Sequence, residues 1–143
     1  MFLGEFEHTI DSKGRLAVPA KFRAAMADGG VVTRGLDGCL AIYTLSEWQI
    51  LADKISALPM TDINVRSFQR FMLSGAMAID VDKQGRVVLP AYLRQYAGIK
   101  TNVVVAGLSR RIEIWDQTKW RAMSQTVEEN SNDVAARLTD LGI

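Results

Sequence analysis

Two short stretches of this 143-residue chain carry the same charged residues at the same spacing: Asp11 with Arg15, and Asp82 with Arg86. In each, a glycine (Gly14, Gly85) immediately precedes the arginine. An aspartate and an arginine facing each other across a tight turn can form a two-point, charge-assisted pair that fixes the direction of the guanidinium. A guanidinium fixed in this way suits a guanine edge or a phosphate. Lys13 and Lys83 lie in the same turns and can touch a phosphate backbone, while Lys21, Arg23 and Arg94 follow downstream as candidates for secondary contacts. The same residues also furnish an ordinary solvated hairpin, so their types alone do not decide between recognition and plain solubility.

The rest of the chain has few parts for catalysis. Cys39 is the only cysteine and His8 the only histidine, which excludes an intrachain disulfide and a Cys/His zinc site. His8 falls on an apolar face with no nucleophile beside it and reads as a core or rim histidine. Cys39, in a strand pattern, reads as a small buried hydrophobe. Asp80 and Asp82 share a strand face, a spacing that can hold Mg²⁺, but a third carboxylate is missing. Ser12 and Lys13 are adjacent on a turn, the wrong geometry for a Ser-Lys pair. Arg66 with Arg70, and Arg110 with Arg111, read as solvated faces. No catalytic residue, metal or cofactor is expected, and no small-molecule substrate. An enzyme ranks third among the readings, to be revived by a turnover lost on mutating Asp80 or Asp82.

Both charged frames belong to a larger internal repeat. DSKGRLAVPAKFR at 11–23 returns as DKQGRVVLPAYLR at 82–94, an offset of 71, and VVTRGLDGCLAIY at 31–43 answers VVVAGLSRRIEIW at 103–115, an offset of 72. Trp48 and Trp120 keep the second offset. The chain thus reads as two diverged copies of one unit, at 5–47 and 76–119, with a helical linker at 48–75 and a helical segment at 120–143. Units this short bury too little surface to fold alone, so one composite domain is expected.

Each unit predicts strand, tight turn, strand, short helix, strand, turn, strand. Gly14 and Gly85 supply the left-handed position of a three-residue loop, and Pro19 and Pro90 stop a strand and open a helix. In a local hairpin the facing pairs are Asp11:Arg15, Ile10:Leu16, Thr9:Ala17 and His8:Val18. One face then carries His8, Ile10, Leu16 and Val18, and in the second copy Ile79, Val81, Val87 and Leu89. The opposite, solvent face carries Arg15 and Arg86 beside their aspartates. Apolar spacing predicts amphipathic helices over 45–58 and 64–74. A last helix through Val134, Leu138 and Leu141 is expected to follow the polar stretch 128–133.

The apolar fraction of 48% with 23% charged residues fits a folded globular chain and argues against disorder. No apolar run approaches a membrane span, and the start MFLGEFEHTID lacks a basic segment followed by an apolar one, so no secretion signal and a cytoplasmic location are expected. Net charge is only +1, but it is unevenly placed: residues 11–23 sum to +3, residues 82–94 to +2, and the remainder to −4. Basic charge segregated in this way is what a phosphate-facing surface needs.

The two D-x-x-x-R frames, with MFLGEFEHTIDSKGRLAVP, AIDVDKQGRVVLP and IEIWDQTKW around them, give the chain a strong resemblance to the MraZ family, whose tandem SpoVT/AbrB-type motifs carry this signature. The resemblance implies an α+β fold of two tandem swapped-hairpin AbrB-like units forming one pseudo-symmetric barrel-like β core with flanking amphipathic helices. It also implies homo-oligomeric rings; Trp48 and Phe68 on the apolar linker helices are candidates for packing subunits, with ordinary core filling the equal alternative for each. Implied too is nucleoid-associated, sequence-specific binding of double-stranded DNA at direct repeats upstream of the division and cell-wall gene cluster, with transcriptional control of that cluster and of its own gene. In that reading Arg15 and Arg86 read bases or clamp phosphates, Lys13 and Lys83 touch backbone, and Asp11 and Asp82 orient the arginines. The second loop has Gln84 where the first has Lys13, so the two loops are not equivalent. The alternative is a protein-interaction or antitoxin-like module with incidental DNA binding, separable by its salt dependence.

Overall fold

In the computed structural model, which describes residues 1–142, the predicted element order recurs twice. The first unit runs β1 (Phe2–Thr9), β2 (Arg15–Ala17), α1 (Ala20–Arg23), β3 (Gly30–Arg34) and β4 (Leu40–Thr44). The linker holds α2 (Leu45–Ser56) and α3 (Ile63–Gln69), the latter continued by π-helical residues Arg70–Ser74. The second unit follows as β5 (Met77–Ile79), β6 (Arg86–Val88), α4 (Ala91–Ala97), β7 (Asn102–Ser109) and β8 (Arg111–Asp116), before α5 (Gln117–Glu129) and α6 (Ser131–Ala136). The class is α+β with antiparallel sheets. No described helix is long and apolar enough to cross a membrane.

The strands do not pair as two local hairpins. Six form one sheet in the order β1-β7-β8-β4-β3-β5, and β2 and β6 form a separate two-stranded ribbon. Each unit sends its first strand to the other: β1 pairs with β7 from Phe2↔Ser109 to Thr9↔Asn102, and β5 pairs with β3. Of the four facing pairs expected in the first hairpin, two are present. Asp11 N–H donates to the Arg15 carbonyl, and Ile10 bridges Leu16. Beyond them the strands diverge, so that His8 faces Val103, Thr9 faces Asn102 and Ala17 faces Arg86. The turn fixes only its own two flanking pairs, and larger apolar contacts are gained when each arm reaches across to the other unit.

The face assignment survives the change of partner, because alternation depends on the pleat and not on which strand lies alongside. Ile10, Leu16, Val18, Ile79, Val87 and Leu89 are all buried in one core cluster with Phe22, Leu93, Val103, Val105, Ile112 and Ile114. Phe22 seats α1 by edge-on contacts to Phe2 and Phe6, at 5.1 and 5.5 Å between ring centres. Thr44 caps α2 by accepting from the Glu47 amide. Thr33 Oγ1 and Arg34 Nη1 donate to the carbonyls of Met72 and Phe71, tying the π-helical turn to β3. The C-terminal expectation needs correction. The stretch 128–133 does not precede the last helix but lies within helical structure: α5 runs through Glu129, breaks at Asn130, and resumes as α6. Asp116 opens α5 by capping Lys119, and Trp120 packs edge-on against Trp115. Val134, Leu138 and Leu141 remain exposed.

Candidate nucleic-acid interface

The β2–β6 ribbon pairs Arg15↔Val88, Leu16↔Val87 and Ala17↔Arg86. Residues directly opposite in an antiparallel pair share a face. Leu16 and Val87 therefore point together into the core, where each is 1% exposed. Arg15, Val88, Arg86 and Ala17 occupy the other face, on which Val88 is 55% exposed. The two arginines, 71 positions apart in the chain, become diagonal neighbours with Cα atoms about 7–8 Å apart on one solvent-facing ribbon. Sequence reasoning placed them on two separate hairpins, since nothing in a turn sequence says which strand its arm will join.

Each arginine is held by its own loop. Asp11 Oδ1 accepts from the Lys13 and Arg15 amides at 3.0 and 2.9 Å, and Oδ2 accepts from Arg15 Nε at 2.6 Å. Asp82 repeats this with the Gln84 and Arg86 amides, both at 2.9 Å, and with Arg86 Nε at 3.1 Å. The ion pair is thus made at one point, through Nε, and not as the expected two-point fork: the aspartate spends its other oxygen on the turn. The Nη nitrogens of Arg15 and Arg86 meet no hydrogen-bond acceptor among the described residues. Donation from the Arg15 backbone amide, aided by the guanidinium, holds the Asp11 carboxyl below its ordinary range, and the Arg86 amide does the same for Asp82. Both carboxylates are therefore charged at neutral pH.

Loop and ribbon also cross between units. The Val18 amide donates to the Gly85 carbonyl and the Leu89 amide to the Gly14 carbonyl, both at 2.8 Å. Gly14 and Gly85 have φ of 82° and 78°, a conformation costly to any side chain. Arg23 Nε donates to the Val18 carbonyl at 2.9 Å, and Arg94 Nε to the Leu89 carbonyl at 3.0 Å. Sequence reasoning treated these two only as cations near the loops; their equal placement after each proline was the available signal. Lys13 and Lys83 are exposed at the loop tips, and Lys21 Nζ lies 5.9 Å from the Phe6 ring centre.

The remaining candidates lie elsewhere. Arg66 Nη1 donates to the Met60 carbonyl and Arg111 pairs with Glu113, so each is engaged within its own element or turn. Trp48 packs against Tyr43 and Phe68 against Phe71, both half-buried. Cys39 is fully buried, donates to the Leu36 carbonyl, and has its thiol pushed up to about 12 by burial. It is a neutral thiol at physiological pH. Among the described residues no group of three or more His, Cys, Asp or Glu side chains is arranged to hold a metal ion.

A family model described as "MraZ protein, putative antitoxin-like" matches the chain twice, over residues 1–71 and 72–142. Proteins named "Transcriptional regulator MraZ" from Natranaerobius thermophilus and Pediococcus pentosaceus are each 48% identical to it over 143 residues. One of the same name from Halothermothrix orenii is 47% identical, and all three alignments cover 100% of both chains. Two tandem matches and relatives aligned from end to end lead to one conclusion: the chain belongs to the MraZ family.

Proposed function

We propose that this protein is a sequence-specific, DNA-binding transcriptional regulator that presents the β2–β6 ribbon to the major groove. The observation that carries the reading is the placement of Arg15 and Arg86, both partly exposed, on one face of the ribbon, each anchored through Nε by an aspartate. A two-stranded ribbon fits the major groove, and an arginine there bonds a guanine edge or clamps a phosphate. Asp11 and Asp82 orient the arginines, Lys13 and Lys83 contact phosphate from the loop tips, and Lys21 adds a flanking contact. Segments 11–23 and 82–94, which together hold the excess positive charge, are brought side by side by the strand exchange. The names of the relatives support transcriptional regulation as the role.

The DNA partner in this reading is a set of direct repeats upstream of the division and cell-wall gene cluster, bound in the cytoplasm at the nucleoid. Several copies of a pseudo-symmetric, barrel-like core assemble into a ring. Exposed Ile50, Leu58, Met60 and Ile63 on the linker are apolar surface of the kind that subunit packing covers. A ring engages repeated boxes at high effective concentration, which suits a protomer of net charge +1. The experiment is fluorescence anisotropy against a labelled duplex of the protein's own upstream region and a scrambled duplex, across salt concentrations. Preference for the upstream duplex is expected, with a log–log salt slope near −0.9 per phosphate contacted. Arg15→Ala is expected to weaken that binding by about 1–3 kcal/mol. Equal, weak binding to both duplexes overturns the reading in favour of a protein-interaction or antitoxin-like module.

A further inference from the structure

The helix that follows each ribbon strand carries an arginine whose side chain lies against the turn of the other unit. A Cβ built on Gly85 would fall 2.5 Å from Arg23 Nε and 2.6 Å from Arg23 Cζ; one built on Gly14 would fall 3.0 Å from Arg94 Nε and 3.1 Å from Cζ. Arg23 therefore lies over the second loop, although it belongs to the first unit, and Arg94 lies over the first loop, although it belongs to the second. Both side chains reach this position by donating Nε to a carbonyl of their own segment, Val18 or Leu89. The amides of those same two residues donate across to Gly85 and Gly14. Val18 and Leu89 thus have both backbone groups engaged, the carbonyl accepting from the arginine of its own segment and the amide donating to the opposite loop.

We infer that Arg23 and Arg94 are crosswise positioning residues: Arg94 sets the loop that aims Arg15, and Arg23 sets the loop that aims Arg86. This rests on the DNA-binding reading above and gives these two arginines a part other than phosphate contact. With Nε committed to a carbonyl and the guanidinium packed over a glycine turn, each closes the space into which the opposite loop would otherwise swing. The glycine is required twice, once for its left-handed backbone and once to leave room for the arginine. Loop mobility in one unit is thereby governed by a side chain of the other, and the two reading arginines are presented as one rigid pair and not as two independent fingers. Preorganisation of this kind favours specific over non-specific binding, because the cost of ordering the loops is met before DNA arrives.

The test uses full-length Arg94→Ala, Arg94→Lys and Arg23→Ala with two readouts. In the free protein, amide hydrogen exchange at residues 12–14 is expected to quicken in Arg94→Ala while residues 83–85 stay unchanged, with the reverse in Arg23→Ala. On the upstream duplex, Arg94→Ala is expected to weaken binding about threefold to tenfold with the salt slope unchanged, and the loss to vanish when Arg15 is already alanine but to persist when Arg86 is. Arg94→Lys keeps the charge but not the planar Nε contact and is expected to behave like the alanine variant. Faster exchange in the variant's own loop, or in both loops alike, overturns the crosswise assignment. A salt slope lowered by about 0.9 with full rescue by lysine makes Arg94 a phosphate contact instead. If wild-type protein shows no preference for the upstream duplex, the DNA reading fails, and the exchange data alone still decide the crosswise clamp.

Discussion

The two units differ most in their exchanged first strands and first helices and least at the ribbon. The first strand is eight residues long in the first unit (β1) and three in the second (β5), and the first helix is four residues in one and seven in the other. At the ribbon the correspondence is close: three-residue strands, loop glycines at φ 82° and 78°, aspartates bonded to the equivalent amides, and crossing bonds of 2.8 Å in both directions. Position in the sheet explains the pattern. β1 and β5 are the two end strands of the six-stranded sheet, each paired on one side only, so their lengths can differ freely, whereas each ribbon strand is fixed by its loop, its partner strand and the crossing bonds. Within the ribbon loops the two units carry equal charge but place it differently, because the loop position of Lys13 is held by Gln84 and that of Ser12 by Lys83.

The largest effect is expected from the buried side of the ribbon. Leu16→Ala should destabilise the protein by about 2–5 kcal/mol. Urea unfolding should still show one transition, because Leu16 and Val87 share a core; two resolved transitions would mean that the units fold separately. Next come the loop glycines, which the backbone treats alike and the surroundings do not. A Cβ at position 14 meets the Leu89 carbonyl at 2.6 Å, whereas at position 85 its nearest neighbours belong to the Arg23 side chain, which can give way at the loss of its seat where a backbone carbonyl cannot. Gly14→Ala should therefore cost about 2–3 kcal/mol and Gly85→Ala about 1–2 kcal/mol, measured by the same unfolding curves. Equal losses would remove the asymmetry.

Smaller effects sharpen the difference in where the loops place their charge. Lys13→Gln should flatten the salt slope of DNA binding by about 0.9, and Gln84→Lys should steepen it by a similar amount. The smallest expected change concerns acid. Both loop aspartates titrate below the ordinary carboxylate range, so the stability they contribute is fully present above that range and is lost as pH falls through their lowered folded values. Carboxyl NMR titration should find both midpoints lowered. In Arg15→Ala the Asp11 midpoint should rise but stay low, since backbone donation is the larger cause. A return to the ordinary value would make the guanidinium the dominant influence.

Much of the fold was legible because it depends on local rules. The repeat announced two units, alternation assigned every residue of the ribbon to its correct face, and apolar spacing over 45–58 located α2. Strand partnership was not legible for Thr9, His8, Ala17 or Val18: a three-residue loop looks the same whether its arms embrace each other or reach across. The same ambiguity hid the convergence of Arg15 and Arg86 on one face, and with it the crosswise seats of Arg23 and Arg94. At the C-terminus the last helix was expected to follow the polar stretch 128–133, yet a solvent-exposed helix tolerates such residues: α5 runs through Glu129 and α6 begins at Ser131.

Strand exchange also has a temporal side. β1, the earliest-made of these eight strands, has its ladder partner in residues 102–109, and β2 must wait for residues 86–88. Contacts so distant in the chain close late. A nascent polypeptide that ends before residue 86 has Arg15 but no ribbon to carry it, and one that ends before residue 102 leaves β1 without its ladder. DNA recognition of the kind proposed is thus withheld until the second unit has been made, and a chain truncated before it would make no competitor for the proposed DNA sites.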